Sequence, residues 1–72
     1  MPDQITQDRR LVQRIDEHGV NLSDREQEMV ESFLLRLGGA LDAGQKRIWG
    51  PGRELSEAQR RVAEAIDERR VR

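Results

Sequence analysis

The chain contains no cysteine and only one histidine, so neither disulfides nor a structural zinc site can staple it. Its stability has to come from packed helices or from a partner subunit. The absence of cysteine suits a reducing compartment, and a cytoplasmic location is the expectation. Aromatic residues are nearly missing as well: there is no tyrosine, one phenylalanine (Phe33) and one tryptophan (Trp49), which leaves the core to aliphatic side chains. No apolar run exceeds three residues, and Met1 to Arg10 is mostly polar and charged, so neither a membrane span nor a leader is expected. Charge of one sign is not in excess either. A formal net charge of −1 removes the strongest electrostatic argument for nucleic acid, because a dedicated binder shows a basic balance or a basic face.

What is present fits one small folded unit. Seventy-two residues hold a single thin core, and 35% hydrophobic against 38% charged residues is polar for a globular chain but retains aliphatic clusters that a disordered tail lacks. The charge is unevenly spread. Through Arg36 there are eight acids against five bases, and from Leu37 onward six acids against eight bases. That asymmetry would steer an anionic partner toward Lys46, Arg47, Arg53, Arg60, Arg61, Arg69, Arg70 and Arg72. The plainer reading is a solvated helix face whose arginines pair with neighbouring glutamates.

The apolar spacing predicts three helices. The first runs over about 4–18, with Ile5, Leu11, Val12 and Ile15 toward one side; Gly19 is expected to close it in a left-handed conformation, with Val20 folding back on Ile15. Ser23-Asp24-Arg25-Glu26 has capping-box spacing and opens the second helix over 23–43, which presents Val30, Phe33, Leu34, Leu37 and Leu41, with Met29 at the edge. Gly38-Gly39 marks either a break in that helix or a close crossing. Residues 44–55, rich in glycine and proline around Trp49, read as a loop. Ser56-Glu57-Ala58-Gln59 is a second capping box and opens the third helix over 56–69, with Val62, Ala63, Ala65 and Ile66 on its apolar side. Leu22-Ser23-Asp24 and Leu55-Ser56-Glu57 start their helices alike, at one constant offset, which leaves an old duplication open. The fold expected is all-α, one domain over 1–72: a three-helix bundle, or a helical hairpin with a docked N-terminal helix.

No catalytic constellation stands out. His18 falls at a helix end, where the helix dipole favours its positive charge, and has no nucleophile or metal-ligand spacing around it. Asp16 with Glu17, and Glu26 with Glu28, read as solvated carboxylates on charged faces rather than as an acid/base pair. Gly50-Pro51-Gly52 lacks the Lys-Ser/Thr and the preceding strand of a phosphate loop. No catalysis, cofactor or metal is expected. Short helices opened by a Leu-Ser pair are similar to those of many small bacterial or phage reading frames, a likeness too general to give any residue a role.

Two functional readings remain, from different classes. The first is a non-enzymatic protein-binding module, a regulator, adaptor or inhibitor of a larger protein or a homodimer, using Met29, Leu35, Arg47, Trp49, Arg53, Arg60 and Arg61. In that reading Trp49 is either a contact residue or a plug over the open end of the core. The second is a small nucleic-acid binder using the C-terminal arginines and the Trp49 loop, weakened by Glu57, Glu64, Asp67 and Glu68 on the same helix.

Overall fold

Asp3 opens the first helix by accepting the Thr6 backbone N–H at 2.9 Å and the Thr6 hydroxyl at 2.7 Å. The structure, a computed structural model, describes residues 3–41 and 47–71. Helix α1 spans Gln4–His18 and turns Asp8, Val12 and Ile15 inward at four- and three-residue spacing. Its ending departs from the expected left-handed glycine. Gly19 is extended, at φ −67° and ψ 138°, and Asn21 takes the positive φ of 56° instead. The glycine is required for space: a Cβ there would stand 2.5 Å from the Ile15 carbonyl oxygen. Gly19 bridges antiparallel to Val71, and the Val20 N–H donates to the Arg70 carbonyl at 3.0 Å. This turn therefore joins the far end of the chain, and Val20, expected to fold back on Ile15, is left 47% exposed.

Helix α2 spans Asp24–Arg36 behind a complete capping box: Ser23 Oγ accepts the Glu26 N–H, and the Glu26 carboxylate accepts the Ser23 N–H, each at 3.1 Å. The helix expected to reach residue 43 ends here. Gly38 adopts φ +87°, which continues no helix, and Gly39–Leu41 forms strand β1, paired antiparallel with strand β2, Arg47–Trp49. The register sets Gly39 against Trp49, Ala40 against Ile48 and Leu41 against Arg47. The loop expected over 44–55 is thereby corrected at residues 47–49, where a β-branched residue and an aromatic sit between turn formers. The Leu41 side chain, Lys46 and the Arg47 side chain, all named above, lie outside the described part of the chain.

Glycine makes this arrangement possible. A Cβ on Gly38 would come within 2.3 Å of the Gly50 carbonyl oxygen, and one on Gly52 within 2.3 Å of the Leu37 carbonyl carbon. Backbone passes over backbone, fixed by Gly50 N–H to Gly38 O at 2.9 Å and Arg53 N–H to Arg36 O at 2.7 Å. The glycine pair is thus a stop and not a close helix crossing; the close approach here is of Gly38 to the Gly50–Pro51 backbone.

Helix α3 spans Glu57–Arg70 and starts from the second capping box, Ser56 with Gln59. It buries Ala63 and Ile66, while Val62, expected on the apolar side, is 37% exposed. Helix α1 packs against both α2 and α3, and the three close on one cluster that includes Val12, Ile15, Val30, Phe33, Leu37 and Leu55. Of the two architectures weighed from the sequence, the fold is the all-α three-helix bundle, with a short hairpin at one end.

Gly52→Ala is expected to lower stability by about 1–3 kcal/mol, whereas Gly50→Ala should be neutral or slightly stabilising. A Cβ at Gly50 would meet only the Gly38 carbonyl oxygen, at 3.8 Å. Urea unfolding of both variants checks the contrast.

Candidate functional site

The C-terminal arginines are the first group to place. Asp8 lies on the inward stripe of α1 and is 1% exposed, and its carboxylate is met by four donated hydrogen bonds. Arg60 grips it with Nε to Oδ1 at 2.9 Å and Nη2 to Oδ2 at 3.2 Å, the Leu55 N–H donates to Oδ2 at 2.9 Å, and Gln4 Nε2 donates to Oδ1 at 2.9 Å. Burial alone would raise this carboxyl, but the bonds from Arg60, Gln4 and Leu55 outweigh it and hold Asp8 below its ordinary value. Arg60 also donates to the Leu55 carbonyl at 2.9 Å. It is therefore committed within the chain.

Glu26 corrects an expectation. Read as a solvated carboxylate, it is buried, because it stands four residues before Val30 and seven before Phe33 on the inward stripe of α2. It closes the capping box and accepts from Arg70 Nη2 at 3.0 Å, with Arg69 3.6 Å away. The Ser23 N–H, then Arg70, pull its carboxyl down to about 2. Elsewhere Arg14 pairs bidentately with Asp67, at 2.8 and 2.7 Å, and Arg61 pairs with Glu57 one turn away at 2.9 Å. Arg60, Arg61, Arg69 and Arg70 thus all face carboxylates of their own chain.

The hairpin holds the apolar candidate Trp49. Arg9 reaches across from α1, donating from Nε to the Leu37 carbonyl at 3.0 Å and from Nη2 to the Gly50 carbonyl at 2.9 Å. One donor thereby serves a carbonyl at the negative end of α2. The same guanidinium stands over the Trp49 ring, 5.2 Å from its centroid. Trp49 is half-buried and packs against the core, so the ring covers the bundle end while keeping an open edge. Ile48, its neighbour on the other face of β2, is 51% exposed, and Leu35, near the end of α2, is 74% exposed. Met29 is half-buried against the core, and Arg53 is exposed, with its N–H tied to Arg36. Of the residues named from the sequence, Trp49 lies on the hairpin, Leu35 is exposed near the C-terminus of α2, Arg53 follows the hairpin and is tied by its N–H to Arg36, Met29 lies on α2, and Arg60 and Arg61 lie on α3. Ile48 was missed, because in a segment read as loop its side chain had no assigned face.

A groove of about 400 Å³ runs between α1 and α3, lined by Gln4, Leu11, Arg14, Arg60, Glu64 and Asp67 among others. Its walls are the two arginine–carboxylate pairs already described, so Asp8 and Asp67 there are occupied as acceptors rather than poised as acids or bases. His18 is exposed, 3.9 Å from Glu17. Among the described residues no cluster of three or more His, Cys, Asp or Glu is placed to hold a metal, and no helix is long and apolar enough to cross a membrane. Compared with known proteins, the chain matches no family model, no curated protein and no solved structure.

Two outcomes follow from the buried carboxylates. Asp8→Ala strands the Leu55 N–H and unpairs Arg60, and is expected to cost about 3 kcal/mol in urea unfolding. The depressed Glu26 carboxyl stabilises the fold fully above its ordinary 4.5, and that contribution is lost as pH falls from there toward about 2. Glu26→Gln, which keeps the cap in the form Gln59 already uses, should flatten this acid limb in a series of unfolding midpoints against pH.

Proposed function

We propose that this chain is a small non-enzymatic protein-binding module that meets its partner, another protein or a second copy, at the end formed by the C-terminus of α2 and the hairpin. The observation that carries the reading is Leu35, 74% exposed on a chain with few apolar residues to spare, at the end of the bundle that also exposes Ile48. Burying a leucine in an interface is worth about 1.5–3 kcal/mol, enough for one such residue to act as an anchor. Trp49 adds a polarisable rim held in place by Arg9. A regulator, adaptor or inhibitor of a larger protein would need no more than such a surface.

The nucleic-acid reading has less support. Arg60, Arg61 and Arg70 each face an internal carboxylate, so a phosphate would compete with Asp8, Glu57 and Glu26 for them. Trp49 anisotropy should stay flat on titration with duplex DNA or single-stranded RNA; a saturable, salt-sensitive rise would favour nucleic acid instead.

The direct test replaces Leu35 by a photo-crosslinking residue in the cells that make the protein, with the same residue in place of Glu64 on α3 as control. A defined protein adduct is expected from position 35 and not from 64, and sedimentation tells whether the adduct is a second copy. No adduct at 35, or equal adducts at both positions, would overturn the proposal.

A further inference from the structure

Strand β2 is the outer strand of the hairpin. Strand β1 packs against α2, whereas β2 lies against β1 alone, so its far edge meets no other helix or strand among the described residues. Trp49 reaches the core and the Arg9 guanidinium through its ring, not through that edge. A two-stranded ribbon is only marginally stable by itself, and an open edge invites a further strand.

The register determines which amides face outward. Antiparallel partners alternate between pairs that exchange hydrogen bonds and pairs that do not. The Gly50 N–H donates to the Gly38 carbonyl at 2.9 Å, one step outside the Gly39–Trp49 pair. Ala40 and Ile48 therefore exchange bonds, and Gly39–Trp49 and Leu41–Arg47 do not. The N–H and C=O groups of Arg47 and Trp49 point away from β1, one residue to either side of Ile48. The next such position, 51, is proline and has no N–H to offer. Ile48 itself is 51% exposed, on the face opposite Trp49.

We propose that the partner is a second copy of the chain, joined β2 to β2, antiparallel, across a two-fold axis at Ile48. This rests on the reading of the hairpin end as a contact surface and gives that surface its occupant. In this register Arg47 of each copy lies opposite Trp49 of the other, and both pairs exchange hydrogen bonds, so every outward group of the two residues is met. The two Ile48 residues form the intervening pair, close enough for each to cover apolar surface on the other. Any extended peptide would meet the main-chain groups. The chain's own strand in addition brings, by symmetry, a β-branched aliphatic residue to the place where Ile48 is exposed. The two hairpins become one continuous sheet, β1–β2–β2–β1, with both open β2 edges closed.

Sedimentation equilibrium of the full chain from about 10 µM to about 1 mM tests this, a range set by the small contact. A reversible monomer–dimer equilibrium is expected. Ile48→Lys, which sets two like charges across the axis at an exposed site, should weaken it about tenfold and leave the helical circular dichroism unchanged. The chain has no cysteine, so Ile48→Cys gives one thiol per copy. An antiparallel pair without hydrogen bonds brings Cα atoms to about 4.5 Å, within the span of a disulfide. In a glutathione buffer this variant should close into a covalent dimer about tenfold faster than Glu64→Cys, exposed on α3. A monomer throughout, an equilibrium that Ile48→Lys does not move, or equal disulfide rates at the two positions would overturn the pairing. A monomer that still gives a protein adduct at position 35 removes the second copy and leaves this end a binding surface for another protein; a monomer with no adduct there removes both.

Discussion

Asp8 is where α1, α3 and the segment that leads into α3 agree. A carboxylate taken out of water costs several kcal/mol unless its lone pairs are filled, and here they are filled from α1, from the segment before α3 and from α3 itself. Each donor is in place only if its own element is. Gln4 requires the first turn of α1, Arg60 requires α3 in register, and the Leu55 N–H requires the chain after the hairpin to arrive at one depth. An apolar residue at position 8 would tolerate small slides of α3 along α1; a carboxylate with four fixed donors does not. The bundle thereby gains a register mark that its thin aliphatic core would not supply.

The same economy governs charge at large. With almost as many bases as acids and few apolar residues, the chain uses opposite charges as packing material. Arg14, Arg60 and Arg70 lay their apolar stems along helix surfaces while their heads reach carboxylates of another helix. This explains how a chain of mean hydropathy −0.88 closes a core without a disulfide.

The elements that were legible in the sequence are those whose cause is local. Both capping boxes are four-residue signals, and both helices begin where the serines place them. The inward stripes of α1 and α2 follow from periodicity alone. Asp8 was given no role and Glu26 was read as solvated: their partners lie 52 and 44 residues away, and nothing local distinguishes a buried paired carboxylate from a solvated one. Gly38-Gly39 stayed undecided for a similar reason. Its conformation depends on Gly50 and Gly52 arriving across from it, and the Leu37–Leu41 spacing imitates a helix that continues. Gly19 failed differently: its glycine was correctly seen to be structural, but the need is for room beside the Ile15 carbonyl, not for a positive φ. The hairpin end escaped sequence reasoning because three-residue strands carry too little alternation to register.

The crossing at the foot of the hairpin is made almost wholly of main chain. Gly50 bonds to Gly38, Arg53 bonds to Arg36, and the side chains that reinforce the crossing, Arg9 and Arg36, grip carbonyl groups that every residue possesses. Of the strand side chains described beyond the crossing, Trp49 packs against the core whereas Ile48 is left 51% exposed. Side chains such as Ile48 can be exchanged over evolutionary time without disturbing the core, as letters change on a fixed key-tag. On the proposed reading, recognition is free to drift at exposed positions such as Ile48, while Trp49 and the glycines keep the bundle end closed.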